Sequence, residues 1–321
     1  MKPRKIVQAA VILLVISAGG VLSFYCSKKK SELPSESQIR IAAIMIDSEV
    51  PFWDEVWKGV REAAEELNAA LSEYPYEQRR EDITELVETA ILAEVDGILL
   101  RAQDTPSDTL SKMLKRAMDA GIHVVAVDVD AGETYRDAFI GIDNKDAAET
   151  LAEKAAELIG EEECVVIVKT PDEYMAHSAS VRVEAFQKAF LQRKPQSMLR
   201  VVELPGEDGL RLSAMMNFLD QEEKVGLLFG CAPKVMTTSI NAVMRLNLEE
   251  SVSVIGFGET EEILDALEKG IVQCLAMQQP YEMGWMGLEY LTELCKGMEE
   301  ENSNEIIVPF QLAVPDNGLE E

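Results

Sequence analysis

The segment 251–291 constrains the fold most, because four secondary-structure elements follow one another there with almost no spacer. A short β-branched strand pattern ends in the turn Gly256-Phe257-Gly258, and apolar residues then recur at helical spacing until Gly270. A second apolar run, Val272 to Met277, is followed by a helix pattern that begins at Pro280. The order strand, helix, strand, helix predicts a parallel sheet of the α/β class.

The same alternation extends back to Arg40, and it divides into two series near Asp143. Two such series predict two doubly wound lobes of similar size, which 321 residues are enough to build. The first half has one weak link, because the helix pattern over 52–71 should lead into a strand, yet residues 71–80 are broken by Pro75. The tail, 305–314, is one more extended run.

A 21-residue stretch without charge, 6–26, dominates the N-terminus. As a helix rising ~1.5 Å per residue it would reach about 31 Å, enough to cross a bilayer. We therefore predict one N-terminal transmembrane helix as an anchor over residues 1–26, followed by a polar tether over 27–38. Small residues at 17–20 leave a cleaved signal open, and Cys26 leaves lipidation open, although Tyr25 is larger than a lipoprotein signal prefers.

The charge of the chain disfavours nucleic acid as a partner. The formal net charge is −28, although residues 1–30 hold six basic residues and no acidic one, so the rest of the chain is more acidic still. Such a surface repels phosphate backbones, and no basic stripe with aromatic residues interrupts it.

The reactive residue types give no catalytic pattern. The five cysteines and two histidines show neither a CxxC pair nor metal-ligand spacing, and the GxSxG, HExxH and P-loop motifs do not occur. We therefore expect neither a metal nor a cofactor, and we expect that the chain is not an enzyme.

Several segments together resemble the type I periplasmic sugar-binding proteins, the ribose-binding-protein-like family that shares its fold with the effector domains of LacI-type repressors. The carriers of the resemblance span residues 40 onward and are Pro51-Phe52-Trp53 with Gly59, Asp96-Gly97-Ile98-Leu99-Leu100, Ala120-Gly121-Ile122 before Asp128, Gly141-Ile142-Asp143-Asn144, Arg182 before Ala185-Phe186, Val254-Ile255-Gly256-Phe257, and Gln278-Gln279-Pro280-Tyr281-Glu282-Met283-Gly284.

The resemblance implies two lobes joined by a three-segment hinge, closing over a solute in the cleft between them. Carried onto this chain, it places 40–142 and 279–304 in the N-terminal lobe. Residues 143–278 and 305–321 fall in the C-terminal lobe.

The resemblance also implies the ligand-binding residues, which are Phe52, Trp53, Asp128, Arg182 and Gln278. Flat aromatic faces suit the C–H face of a sugar ring, and the charged and amide groups suit its hydroxyls. Each residue also has a structural alternative: packing at a helix start for the aromatic pair, a turn for the aspartate, a salt bridge for the arginine and a hinge role for the glutamine.

Polar residues of a ribose-type site are missing at four places. Val50, Val129, Ala232-Pro233 and Gly258 stand where the resemblance leads us to expect asparagine, arginine, asparagine-aspartate and aspartate. A buried hydroxyl without partners costs about 1–3 kcal/mol, which disfavours ribose itself. Asp130 and Glu259 are possible substitutes from adjacent positions, and a less hydroxylated ligand is the alternative.

The function expected from these observations is that of a membrane-tethered solute-binding protein for a carbohydrate-like ligand, attached to the cell membrane with its body outside the cytoplasm. Its partner would be an ABC permease or a membrane histidine kinase. A degenerate, non-binding scaffold or sensor subunit is the alternative. A LacI-like regulator is disfavoured, because an apolar span occupies the place of a DNA-reading helix pair.

Overall fold

The computed structural model describes residues 38–47, 51–77, 83–102, 107–160, 162–171, 177–222, 224–298 and 304–315. Residues Ile39–Glu321 form one compact unit. The predicted anchor and nearly all of the predicted tether lie outside the described residues. Within the described ranges, no helix combines the length and the apolar character needed to cross a membrane.

Strands and helices alternate along the described chain. The strands are β1 (Arg40–Ile46), β2 (Ala70–Tyr76), β3 (Gly97–Leu100), β4 (His123–Val127), β5 (Ala138–Gly141), β6 (Cys164–Lys169), β7 (Met198–Glu203), β8 (Val225–Gly230), β9 (Ser253–Phe257), β10 (Val272–Met277), β11 (Glu305–Ile307) and β12 (Gln311–Ala313). The α-helices are α1 (Pro51–Glu66), α2 (Thr84–Leu92), α3 (Asp108–Asp119), α4 (Asn144–Leu158), α5 (His177–Arg193), α6 (Asp208–Gln221), α7 (Pro233–Leu246), α8 (Glu261–Glu268) and α9 (Pro280–Cys295), with a 3-10 turn at Glu133–Tyr135.

The strands form two six-stranded sheets, which confirms the predicted pair of parallel α/β lobes. The first sheet has the order β11-β5-β4-β3-β1-β2 and is parallel throughout. The second has the order β12-β10-β9-β8-β6-β7, in which only β12 runs antiparallel to its neighbour. Each sheet belongs to its own buried apolar cluster, so each lobe has a separate core.

The weak link in the first half is a strand at the edge of its sheet. Strand β2 pairs only with β1, and Pro75 lies opposite Met45. An edge position tolerates proline because one side of the strand needs no hydrogen-bond donor. Helix α1 ends at Glu66, earlier than predicted, since Asn68 adopts a left-handed φ of 54° that a helix cannot continue through.

The predicted boundary at residues 304 and 305 is wrong. Strand β11 belongs to the first sheet, and Val308 donates to the Gly141 carbonyl at 2.8 Å and lies in the first core. The chain then crosses at Pro309 and Phe310, and β12 joins the second sheet. Proline cannot donate the next ladder hydrogen bond, so the run predicted as one strand divides into two.

The other two crossings follow β5 and β10. Ile140 lies in the first core and Ile142 in the second, while helix α9 packs against α1 after the chain returns at Pro280. Gln279 Nε2 donates to the Pro309 carbonyl at 2.6 Å, which ties the second crossing to the third.

Helices α1 and α9 approach each other through two glycines. A Cβ atom on Gly59 would lie 2.1 Å from the Tyr281 carbonyl oxygen, and one on Gly284 would lie 2.1 Å from that of Val56. This contact requires glycine at both positions. It fixes α1, whose first turn carries the aromatic pair, against α9, which follows the second crossing.

Candidate ligand-binding cleft

Most of the predicted ligand residues lie where strands end or where the following helices begin, and Arg182 lies in the second turn of α5. Asp128 follows β4 directly, Gln278 follows β10, and Glu259 comes two residues after β9. In parallel α/β sheets the ligand crevice forms outside the carboxyl ends of the strands, so the topology directs these side chains toward one region.

The aromatic pair opens helix α1. The rings of Phe52 and Trp53 meet edge to face, with centroids 5.1 Å apart and planes at 79°. Phe52 is half-buried, whereas Trp53 is 8% exposed. Trp57, one turn later, donates from Nε1 to the Ile46 carbonyl at 3.0 Å and so fixes the helix start to the end of β1.

Asp128 is held in a strained turn beside an arginine. Its φ is 65°, a left-handed value uncommon outside glycine. Its amide donates to the Ile140 carbonyl at 3.0 Å, and its Oδ2 lies 3.5 Å from Nε of Arg101. The Arg101 guanidinium also lies 6.0 Å from the centre of the Trp53 ring, within the range of cation–π attraction.

Arg182 brings positive charge from the second lobe. It is 5% exposed, donates from Nε to Asn144 Oδ1 at 2.7 Å and from Nη1 to the Cys231 carbonyl at 3.3 Å, and stacks 3.9 Å from the Phe257 ring. Among the residues that the structure describes, Arg182 bonds Asn144 and Cys231, and no ion pair with Glu184 is present.

The charge of Arg182 couples it to carboxylates of both lobes. Burial lowers the pKa of its guanidinium to about 10, and the charges of Asp128 and Glu259 act in the opposite direction. Arg182 therefore stays protonated at neutral pH. Two of its five N–H groups have acceptors among the described residues, which leaves further donors for a ligand.

Glu259 and Gln278 meet at the second crossing. The backbone amide of Gln278 donates to Oε1 of Glu259. Burial raises the pKa of Glu259 to about 7, while the Gln278 hydrogen bond and the Arg182 charge act to lower it. A carboxyl group that titrates near neutrality therefore contacts the hinge.

Asp130, the other candidate substitute, is engaged elsewhere. Arg136 donates to Oδ1 from Nε at 2.5 Å and to Oδ2 from Nη2 at 2.9 Å, and the Gly132 amide donates to Oδ1 at 2.8 Å. Burial raises the pKa of Asp130, but the hydrogen bonds from Arg136 and Gly132 outweigh it and lower the pKa below its ordinary value. With both oxygens occupied, Asp130 has the contacts of a structural residue.

The structure gives physical reasons for two of the four departures. Val129 is buried in the first core, where an arginine would have no room to reach the cleft. Gly258 has a φ of 144°, and a Cβ there would lie 2.6 Å from Ile263 Cδ1 and 3.1 Å from Pro233 Cα. The structure therefore leaves no space for an aspartate side chain at 258. Val50 lies outside the described residues.

Arg101 is the residue that sequence reasoning missed. It follows β3 directly, where a basic side chain interrupts an apolar strand pattern, and it is 4% exposed. That interruption was the available signal. Its backbone is fixed as well, because its amide donates to Ile44 and its carbonyl accepts from the Tyr76 hydroxyl, both at 3.0 Å.

The structure thus links the five predicted residues, with Glu259 and Arg101, into one continuous group. Contacts run from the aromatic pair through Arg101 to Asp128, charge coupling continues to Arg182, and Glu259 connects Arg182 to Gln278. A group that combines aromatic faces, guanidinium donors and carboxylate acceptors can bind a polar, ring-shaped solute.

Sequence comparison assigns the family. Residues 41–299 match the model of the periplasmic binding protein domain. The chain belongs to this family. The family model and the shared fold confirm the resemblance stated from the sequence, and the solved structures of that fold include sugar-binding proteins. No curated protein sequence matches the chain.

Three solved structures illustrate the similarity of this periplasmic binding protein to known ones. A solute-binding protein of an ABC transporter from Burkholderia graminis, in complex with D-arabinose, has a TM-score of 0.78 at 19% identity, over 88% of this chain and 98% of that one. GanP, a glucose-galactose binding protein from Geobacillus stearothermophilus, has a TM-score of 0.73 at 22% identity, over 87% and 98%. The XylFII-LytSN complex contains a chain with a TM-score of 0.69 at 23% identity, over 86% and 97%. At these identities the likeness establishes the fold.

Proposed function

We propose that this chain is an extracytoplasmic solute-binding protein that holds a carbohydrate-like ligand between its two lobes. One observation carries the proposal. Asp128 in the first lobe, which pairs with Arg101, also interacts by charge with Arg182 in the second, and this supports a polar region shared by the two lobes. A solute there would contact both lobes and stabilise their closed arrangement.

The chemistry of the group favours a hydroxylated ring. Trp53 and Phe52 offer apolar faces, Arg182 and Gln278 offer donors, and Asp128 offers acceptors. The arabinose and glucose-galactose binders that share the fold support this ligand class. With acceptors missing at 233 and 258, the ligand should present fewer hydroxyl groups to the second lobe than ribose does.

The partner we propose is a membrane protein, either an ABC permease or a membrane histidine kinase. Structures of similar fold include sugar-binding proteins of ABC transporters and a chain assembled in the XylFII-LytSN complex. The apolar segment 6–26 would tether the body to the membrane in either case. A tether that is not cleaved suits a sensor, because it keeps the binding protein beside its partner.

A thermal-shift panel tests the proposed function. The full chain, in a detergent without a sugar headgroup, is heated with pentoses, hexoses, inositols and hexuronates. We expect at least one solute to raise the unfolding midpoint, because a ligand that binds only the folded state at about 100 times its Kd adds roughly 2.7 kcal/mol. No shift with any of them would contradict the proposal and favour a non-binding scaffold.

A further inference from the structure

We propose that Arg101 is a positioning residue for ligand recognition, holding Asp128 and Trp53 in binding geometry. The inference rests on the proposed function. Ribose-type sites are expected to carry a positive charge directly after the position of Asp128, and the inference assigns that charge to Arg101 at the end of β3. Val129, which occupies that place here, is buried in the first core.

The first support is the position of the guanidinium. Arg101 is 4% exposed, so its charge is largely removed from water and requires compensation. Its Nε lies 3.5 Å from Asp128 Oδ2, its Nη1 donates to the Ala102 carbonyl at 3.1 Å, and its guanidinium lies 6.0 Å from the centre of the Trp53 ring. One side chain therefore contacts the predicted carboxylate and the predicted aromatic face.

The second support is the strain at Asp128. A non-glycine residue with a φ of 65° persists only where its surroundings enforce the conformation. The Val129 amide donates to the Val127 carbonyl at 2.7 Å, which closes a tight turn around Asp128. Arg101 fixes the side chain of a residue whose backbone is already constrained, so both determine where the carboxylate points.

The pair Arg136 and Asp130 offers a matched control. It is a second buried arginine–aspartate pair in the same lobe, with Arg136 2% exposed, but its contacts lead to Asn304 and Glu305 rather than to the cleft. Loss of either arginine should lower the unfolding midpoint. Only loss of Arg101 should change ligand binding.

The experiment is a calorimetric titration of the full chain with the solute that gives the largest thermal shift. We expect Arg101→Gln to weaken binding by roughly ten-fold or more, because it removes the buried ion pair that holds the Asp128 carboxylate. Arg101→Lys should recover part of the affinity, and Arg136→Lys should stay within about two-fold of wild type while lowering the midpoint.

A double-mutant cycle then separates positioning from a purely structural role. If Arg101 acts through Asp128, Arg101→Gln should cost less than about two-fold in the Asp128→Asn background. Fully additive losses, or unchanged affinity in Arg101→Gln, would overturn the inference alone. A wild-type chain that binds no solute would overturn the proposed function, and this inference with it.

Discussion

At the residue scale, the polar groups of the candidate cleft are distinguished by what else they contact. Asp128 pairs with Arg101 and acts by its charge on Arg182 of the second lobe, whereas Asp130 is bound on both oxygens by Arg136. Two carboxylates of one loop therefore have different partners, which residue spacing alone does not separate.

Glu259 should make the stability of the fold depend on pH. Burial raises its pKa from the ordinary 4.5 to about 7, so between these values the folded state holds a proton that the unfolded state lacks. Its stabilising contribution is complete below the unfolded pKa and is lost as the pH rises through about 7. We expect the unfolding midpoint of Glu259→Gln to fall less than that of wild type over this window.

Thermal unfolding measured across the pH range checks this expectation. Glu261→Gln, which removes an exposed carboxylate from the next helix, is the matched control for the loss of one negative charge. The groups that face Glu259 are the Gln278 amide and the Arg182 guanidinium, and Arg182 stays charged throughout. Identical pH profiles for wild type and Glu259→Gln would contradict the titration of a buried carboxyl group there.

At the element scale, the α1–α9 contact fixes the first turn of α1, which carries the aromatic pair, relative to the hinge. It depends on the absence of a side chain at two positions, since each Cβ would meet a backbone carbonyl that cannot move aside. Helix packing this close is a property of both partners and not of either helix alone.

Gly59→Ala should therefore destabilise the fold, by about 1–3 kcal/mol as an overpacked core does, and should also weaken ligand binding by displacing Trp53. Gly209→Ala is the matched control, because that helical glycine has nothing within 4 Å of an added Cβ. We expect it to be neutral or to stabilise by up to about 1 kcal/mol. Equal denaturation midpoints for the two variants would contradict the packing argument.

Much of the fold was predictable because strand and helix periodicity are local properties. The order of elements from β1 to α9 follows from apolar patterns, and the family motifs indicate how the lobes divide. The tail was not predictable in the same way, since β11 and β12 form one extended pattern and only pairing with different sheets separates them. Strand β2 contains a proline, which its position at the edge of the sheet tolerates, because one side of an edge strand needs no hydrogen-bond donor.

The residues of the candidate site that belong to family motifs were predictable. Those whose place in the site depends on tertiary contacts were not. Phe52, Trp53, Asp128, Arg182 and Gln278 were predicted by resemblance, and the structure brings them together, while their role in binding stays a prediction. Arg101 was not predicted because its partner Asp128 follows a different strand and is distant in sequence. The lack of space for a side chain at Gly258 depends on a close backbone approach that no spacing rule describes.

At the scale of the whole molecule, two lobes with separate cores are joined by three chain crossings. Two of the crossings are joined by the hydrogen bond from Gln279 to Pro309. Two lobes with few connections between them favour hinge motion. In such a motion, part of the binding energy comes from contacts that form only when both lobes touch the solute. Ligand affinity should therefore depend on residues from each lobe.

The most direct measurement is calorimetric titration of the full chain with the solute selected by thermal shift, in wild type, Asp128→Asn and Arg182→Gln. Arg211→Lys, a buried arginine that bonds Pro205 and Asp208 in the second lobe, serves as the control. We predict one bound solute per chain, with affinity at least roughly ten-fold weaker in each cleft variant and within about two-fold of wild type in the control. Binding that both cleft variants leave unchanged would contradict a ligand held between the lobes.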